Sequence, residues 1–177
     1  PEYGGTILYH ADKSTIPKKV PFMLRFSDDT YFTVRLKGWG HISSVENAEL
    51  ADVYVYARDF SDVPSPLDEG FSLERFSQGL QQVSVNVKTA LVGKEAVIVG
   101  IQNSAFQDII YRAGIHPKRK VSDLDADERH ALFDATIALV HERIELGGKE
   151  DFVDLYGVQG RYVPRMGPNM RDGMCPT

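Results

Sequence analysis

The sequence predicts an α+β protein, a small β-sheet part followed by an all-helical part, and three observations carry that prediction. Residues 6–36 hold short runs rich in aromatic and β-branched residues, separated by turn-forming residues. Asp62-Val-Pro-Ser-Pro-Leu67 interrupts regular structure, because two prolines remove backbone donors and push their predecessors toward extended conformations. Beyond that break, apolar residues recur at helical spacing as far as Gly147-Gly148. The expected divisions are residues 1–60, 61–160 and 161–177, the last an extended tail.

In chain order, Thr6–His10 is the first expected strand. Pro21–Phe26 and Thr30–Leu36 flank Ser27-Asp28-Asp29 and form a hairpin signal. In the second of these runs Phe32, Val34 and Leu36 alternate with Tyr31, Thr33 and Arg35, which assigns the apolar set to one buried face. Val53–Ala57 is a further expected strand.

After the proline break, Leu73, Phe76 and Leu80 predict a helix over Ser72–Leu80, and Val87–Val99 predicts a second. Asn103 is placed to cap a third through Arg112, with Phe106, Ile109 and Ile110 on one face and Gly114 as its stop. The longest helix is expected over Ala126–Leu146. Asp125 and Glu128 form a capping-box pair, and Phe133, Ile137, Val140 and Ile144 define the apolar stripe.

The chain of 177 residues is 42% hydrophobic and 25% charged, a balance that excludes disordered and collagen-like classes. No apolar run approaches the roughly 18 residues of a spanning helix. The single cysteine, Cys175, makes no intrachain disulfide, and no charged-then-apolar leader opens the chain, so a reducing, cytoplasmic setting is expected.

The net charge of −5 argues against a polyanionic partner, yet its distribution does not. Residues 1–87 carry 8 Lys+Arg against 12 Asp+Glu, whereas residues 88–177 carry 12 against 13. Arg112, Lys118, Arg119 and Lys120 lie in a stretch free of acids, and so do Arg161, Arg165 and Arg171.

Five histidines and one cysteine show no metal or nucleophile spacing, and His10, His41, His130 and His141 read as surface or hydrogen-bonded residues. The glycine-preceded helix start at Gly100–Asn103 is more informative. A helix N-terminus offers backbone donors and the positive end of a dipole, which suits a phosphate but equally suits an ordinary helix start.

Val99-Gly-Ile-Gln-Asn-Ser-Ala-Phe-Gln-Asp-Ile-Ile-Tyr-Arg-Ala-Gly-Ile-His-Pro-Lys-Arg119, followed by Leu124 and an acid-capped helix ending at Gly147-Gly148, resembles the helix-two-turn-helix domain of the formamidopyrimidine-DNA glycosylase and endonuclease VIII family. Ser65–Phe76 resembles the entry into that domain, the β-hairpin the closing part of its N-terminal β-sandwich, and Tyr156–Tyr162 the approach to its zinc-binding hairpin. The resemblance implies a partial β-sandwich joined to an all-α helix-two-turn-helix domain. It also implies the activity of a DNA glycosylase and AP lyase, which flips out and excises a damaged base and then cleaves the strand.

Residue by residue, the resemblance makes Asn103 the holder of a DNA phosphate and Lys88 or Lys94 its basic partner. Lys19 lies one position from the family's hairpin lysine, and Arg161 or Arg171 is placed to reach the backbone of the lesion strand. Trp39 lies beside the family's base-replacing wedge loop and reads equally as core.

Three departures qualify the match. Pro1 and Glu2 match the family's nucleophilic proline and its glutamate in letters only, since Tyr3-Gly4-Gly5 and a β-rich run follow where a helix is required. Gln102 replaces a glycine. Cys175 is the first cysteine of a Cys-x-x-Cys whose partner the sequence does not hold, so zinc is implied for a full-length parent and no cofactor for this chain. The expectation is a monomeric duplex-DNA binder without catalysis of its own. The alternatives are a non-catalytic nucleic-acid-binding or scaffolding module and, favoured by the acidic total, a protein–protein module.

Overall fold

The computed structural model describes residues 5–36, 42, 44–52, 63–93, 95–167 and 170. Within them the fold is α+β, with a three-stranded antiparallel sheet and four α-helices. The expected strand Val53–Ala57 and Trp39 lie outside the described residues. The chain divides into two compact units. One holds the described part of Pro1–Ser43 with Glu142–Val163, and the other the described parts of Ser44–His141 and Pro164–Thr177.

In the first unit β1 (Gly5–His10), β2 (Phe22–Arg25) and β3 (Tyr31–Leu36) lie in the order β1-β3-β2, with Ile7 opposite Val34 and Leu24 opposite Phe32. The hairpin closes where the sequence predicts. Asp29 takes a φ of 60°, and Phe26 N–H donates to the Thr30 carbonyl at 2.9 Å. The Asp28 carboxylate accepts from the Thr30 hydroxyl at 2.7 Å and its N–H at 3.1 Å, and these bonds hold its carboxyl below the usual carboxylate range.

The buried face of β3 is the opposite of the expected one. Tyr31 and Thr33 are buried, whereas Phe32 and Val34 are half-buried and Leu36 is exposed. The polar face tolerates burial because it satisfies itself. His10, 5% exposed, places Nδ1 at 2.9 Å from Thr15 Oγ1 and Nε2 at 2.9 Å from Thr33 Oγ1. On the other face Phe32 meets Tyr9 and Phe26 edge-on, with centroids 5.9 and 5.0 Å away.

Backbone hydrogen bonds tie residues 147–162 of this unit together. Glu150 N–H donates to the Tyr162 carbonyl and Tyr162 N–H to that of Gly148, both at 2.9 Å, and Tyr162 is buried. Gly160 sits where two backbones nearly touch, since a Cβ there would lie 2.4 Å from the Gly148 carbonyl oxygen. Gly160→Ala is expected to cost about 1–3 kcal/mol through forced backbone displacement, seen as a lowered urea midpoint; an unchanged midpoint would show that the close approach is not needed.

In the second unit α1 (Leu73–Gln81) is capped by Ser72, whose hydroxyl accepts from Arg75 N–H, and it buries Phe76 and Leu80. The helix α2 spans only Val87–Val92, shorter than the expected Val87–Val99. Asn86 caps it at Thr89 N–H, and Gly93 ends it in an extended conformation so close to Thr89 that no side chain fits. The chain then doubles back, and Val97 N–H donates to the Ala90 carbonyl at 2.8 Å.

The helix α3 covers Asn103–Ala113, and α4 covers Ala126–Glu145. The capping box forms as expected, with Glu128 N–H on the Asp125 carboxylate at 2.8 Å and Asp125 N–H on that of Glu128 at 3.0 Å. Gly114 and Gly147 close the two helices in left-handed conformations, each with the paired backbone bonds of a Schellman motif.

The apolar stripe of α4 is displaced from the expected one. Leu132, Ala135, Thr136 and Leu139 are buried, whereas Phe133, Ile137 and Val140 are half-buried and Ile144 is 57% exposed. Apolar residues occupy two adjacent faces, and Thr136 joins the buried one by returning its hydroxyl to the Leu132 carbonyl at 2.8 Å. Phe133 still packs, its ring tilted against those of Phe71 and Phe76 with centroids 5.4 and 6.0 Å away.

Candidate nucleic-acid interface

The start of α3 is the feature that the sequence singles out. Ile101, Ala105, Phe106 and Ile109 are buried and anchor the helix, while Gly100 and Gln102 are exposed at its mouth. Gln102, not Asn103, is the N-cap; it is extended, with φ −104° and ψ 168°, and no side chain caps the helix there. Asn103 is the first helical residue, a correction to its expected capping role. The first turn of an α-helix leaves its N–H groups without intrahelical partners, and this turn contains no acid. A φ of −104° suits any residue, so Gln102 replaces a glycine without backbone strain.

Asn103 Oδ1 is buried and has no hydrogen-bond partner among the described residues. An unsatisfied buried acceptor costs about 1–3 kcal/mol and calls for a physical explanation.

The basic connection leaves from the other end of α3. Eleven residues at about 1.5 Å each separate the two ends of α3 by about 16 Å. The connection instead seals the start of α2, where Val87 N–H donates to the Arg119 carbonyl at 2.9 Å and Lys88 N–H to that of Pro117 at 3.2 Å. Arg119 pairs with Glu128 and donates to the Asp123 carbonyl, whereas Lys88, Lys118 and Lys120 are exposed.

The other expected contacts divide between the units. Lys88 and Asn103 belong to the helical unit, and Lys19 and Arg161 to the sheet-bearing one. Lys19 is exposed. Arg161 is tied to the end of α4 through its N–H on the Leu146 carbonyl at 2.9 Å and its guanidinium on that of Glu145 at 3.3 Å. Pro1, Glu2, Lys94, Arg171 and Cys175 lie outside the described residues.

Among the described residues no group of three or more His, Cys, Asp or Glu is placed to hold a metal, and one cysteine cannot supply a four-ligand thiolate site. No described helix is long and apolar enough to cross a membrane. The sequence reading missed Asp108. It is fully buried on α3 and accepts from the Met166 N–H at 2.6 Å. The available signal was its place between Phe106 and Ile109, on the apolar side of the helix.

Comparison with known proteins places these features in context. The formamidopyrimidine-DNA glycosylase H2TH domain family matches residues 63–152. A formamidopyrimidine-DNA glycosylase of Roseiflexus sp. is 34% identical over 123 residues, covering 68% of this chain and 45% of that protein. One from Streptococcus pneumoniae is 26% identical over 161 residues, covering 88% and 57%. The chain thus spans about half the length of the curated relatives it matches. The MutM (Fpg) structure from Thermus thermophilus superposes with a TM-score of 0.66 at 21% identity, over 88% of this chain and 57% of that one. Lactococcus lactis Fpg, solved with DNA containing an abasic site, gives a TM-score of 0.65 at 17% identity, over 95% and 58%. At such identities the superpositions establish the fold.

Proposed function

The chain belongs to the formamidopyrimidine-DNA glycosylase family, and from that premise we propose that it binds damaged duplex DNA as part of a base-excision repair protein. The observation that carries this reading is the uncapped, acid-free first turn of α3, with Asn103 as its first residue. Backbone N–H groups and the dipole end favour a phosphate there, and an asparagine amide adds a donor. Lys88 and Lys19 are exposed cations suited to further backbone contacts, and Lys94, Arg161 and Arg171 complete the set that the family resemblance implies.

The whole protein is read as a glycosylase and AP lyase that extrudes the damaged base, excises it and cleaves the strand. This chain is read as a monomer in the cytoplasm that grips the DNA backbone, and Pro1 and Glu2 match the family's catalytic pair in letters alone. Zinc belongs in this reading to a parent with further cysteines, Cys175 being the first ligand.

Phosphate contacts release counterions, so affinity for duplex DNA is expected to fall linearly on a log–log salt plot, with a slope of about −0.9 per phosphate neutralised. Fluorescence anisotropy of a labelled duplex between 50 and 200 mM salt measures it. Binding that is absent at low salt or indifferent to salt would favour the protein–protein alternative. Borohydride treatment on abasic-site DNA is expected to trap no adduct; a covalent product at Pro1 would make the chain itself catalytic.

A further inference from the structure

We infer that Arg165 is a second phosphate contact of the α3 interface and that Asp108 is the positioning residue that fixes it there, an inference that rests on the DNA-binding reading. Asp108 is a fully buried carboxylate in the middle of a helix, a costly placement unless its oxygens are engaged. One of them accepts the Met166 N–H at 2.6 Å, across 58 residues of sequence. That bond ties the segment beginning at Pro164 to α3, within the same compact unit.

Arg165 stands between two fixed points. Pro164 before it is buried, and the Met166 backbone after it is held by Asp108, while Arg165 itself is exposed. A guanidinium on a pinned backbone loses less freedom on binding a phosphate than one on a free tail, and its planar donors suit bidentate phosphate contact. No acid lies between Asp154 and Asp172 to neutralise it along the chain.

Asp108 lies five residues beyond Asn103, about 7.5 Å along the axis of α3, so its bond to Met166 holds the Arg165 backbone beside the same helix. Sequence reading had no means of pairing Arg165 with α3, because the link is a single side-chain bond to a backbone N–H far along the chain.

The test measures duplex affinity of the full chain against salt for Arg165→Ala, Arg165→Lys, Asp108→Ala, Asp108→Asn and Asn103→Ala. Arg165→Ala is expected to weaken binding about 5- to 10-fold and to make the salt slope shallower by about one. Arg165→Lys keeps the slope with part of the affinity. Asp108→Ala reproduces the Arg165→Ala slope, and adding Arg165→Ala to it changes little, whereas Asp108→Asn retains an acceptor for Met166 and restores the slope. If Asp108→Ala does not fold, the two Arg165 variants and Asp108→Asn decide. Wild-type affinity and slope in Arg165→Ala, alongside weakened binding in Asn103→Ala, overturns this inference and leaves the DNA-binding reading standing. No loss in either, or no binding by the unmodified chain, overturns both.

Discussion

Asn103→Asp is expected to reduce duplex affinity about a hundredfold or more while leaving the helical unit folded. The substitution keeps the size of the side chain and replaces amide donors with a carboxylate at the point proposed to meet a phosphate. The lost donation is worth about 1–3 kcal/mol, and like charges brought together in an interface add several more. Stability is expected to change less than affinity, because a favourable dipole term opposes the cost of putting charge at the buried Oδ1 position. An acid in the first turn of a helix interacts favourably with the dipole, by about 0.3–1 kcal/mol where exposed, and α3 has none in its first turn. Anisotropy titrations and thermal unfolding on the same sample separate the two effects. Wild-type affinity in Asn103→Asp would remove the phosphate from this turn, and the DNA-binding reading with it.

The elements most legible in the sequence are those whose signals are local. The 125–128 capping box, the glycine stops at 114 and 147, and the hairpin around Asp28-Asp29 all form as their residues predict, because each depends on partners within a few residues. The faces were less legible. Alternation in β3 identifies two faces but not which is buried, and the outcome turns on His10 meeting Thr15 and Thr33, a pairing made in space. In α4 the apolar positions cover two adjacent faces, so spacing alone admits either stripe, and Thr136 tips the buried one by bonding its own helix. The site divides in the same way. An exposed helix start at position 103 is visible as a glycine, a polar pair and an apolar run, whereas the orphaned Asn103 Oδ1 and the bond from Asp108 to Met166 require coordinates. Net charge misleads for a related reason: Arg119 counts as a cation, yet the fold pairs it with Glu128.

Phe106→Ala is expected to cost the helical unit about 3–5 kcal/mol, the usual range for deleting a buried aromatic ring. Phe106 is 2% exposed, sits one turn beyond Asn103, and shares the buried face of α3 with Ala105 and Ile109. The loss combines the transfer free energy of the ring with the cavity left behind. The Schellman closure at the end of α3 and the Asp108 bond to Met166 limit how far the helix can move to fill it. Against a typical domain stability of about 5–15 kcal/mol this is a large fraction, so the urea midpoint is expected to fall sharply with little change in the denaturant slope. DNA binding should respond differently from Asn103→Asp. Where Phe106→Ala remains folded, its salt slope stays that of the unmodified chain, since no phosphate contact is deleted, and any loss of affinity follows the folded fraction. A midpoint shift below about 1 kcal/mol would mean that α3 is not anchored through this ring. Loss of affinity with a shallower slope would mean that the anchor and the phosphate contact cannot be separated.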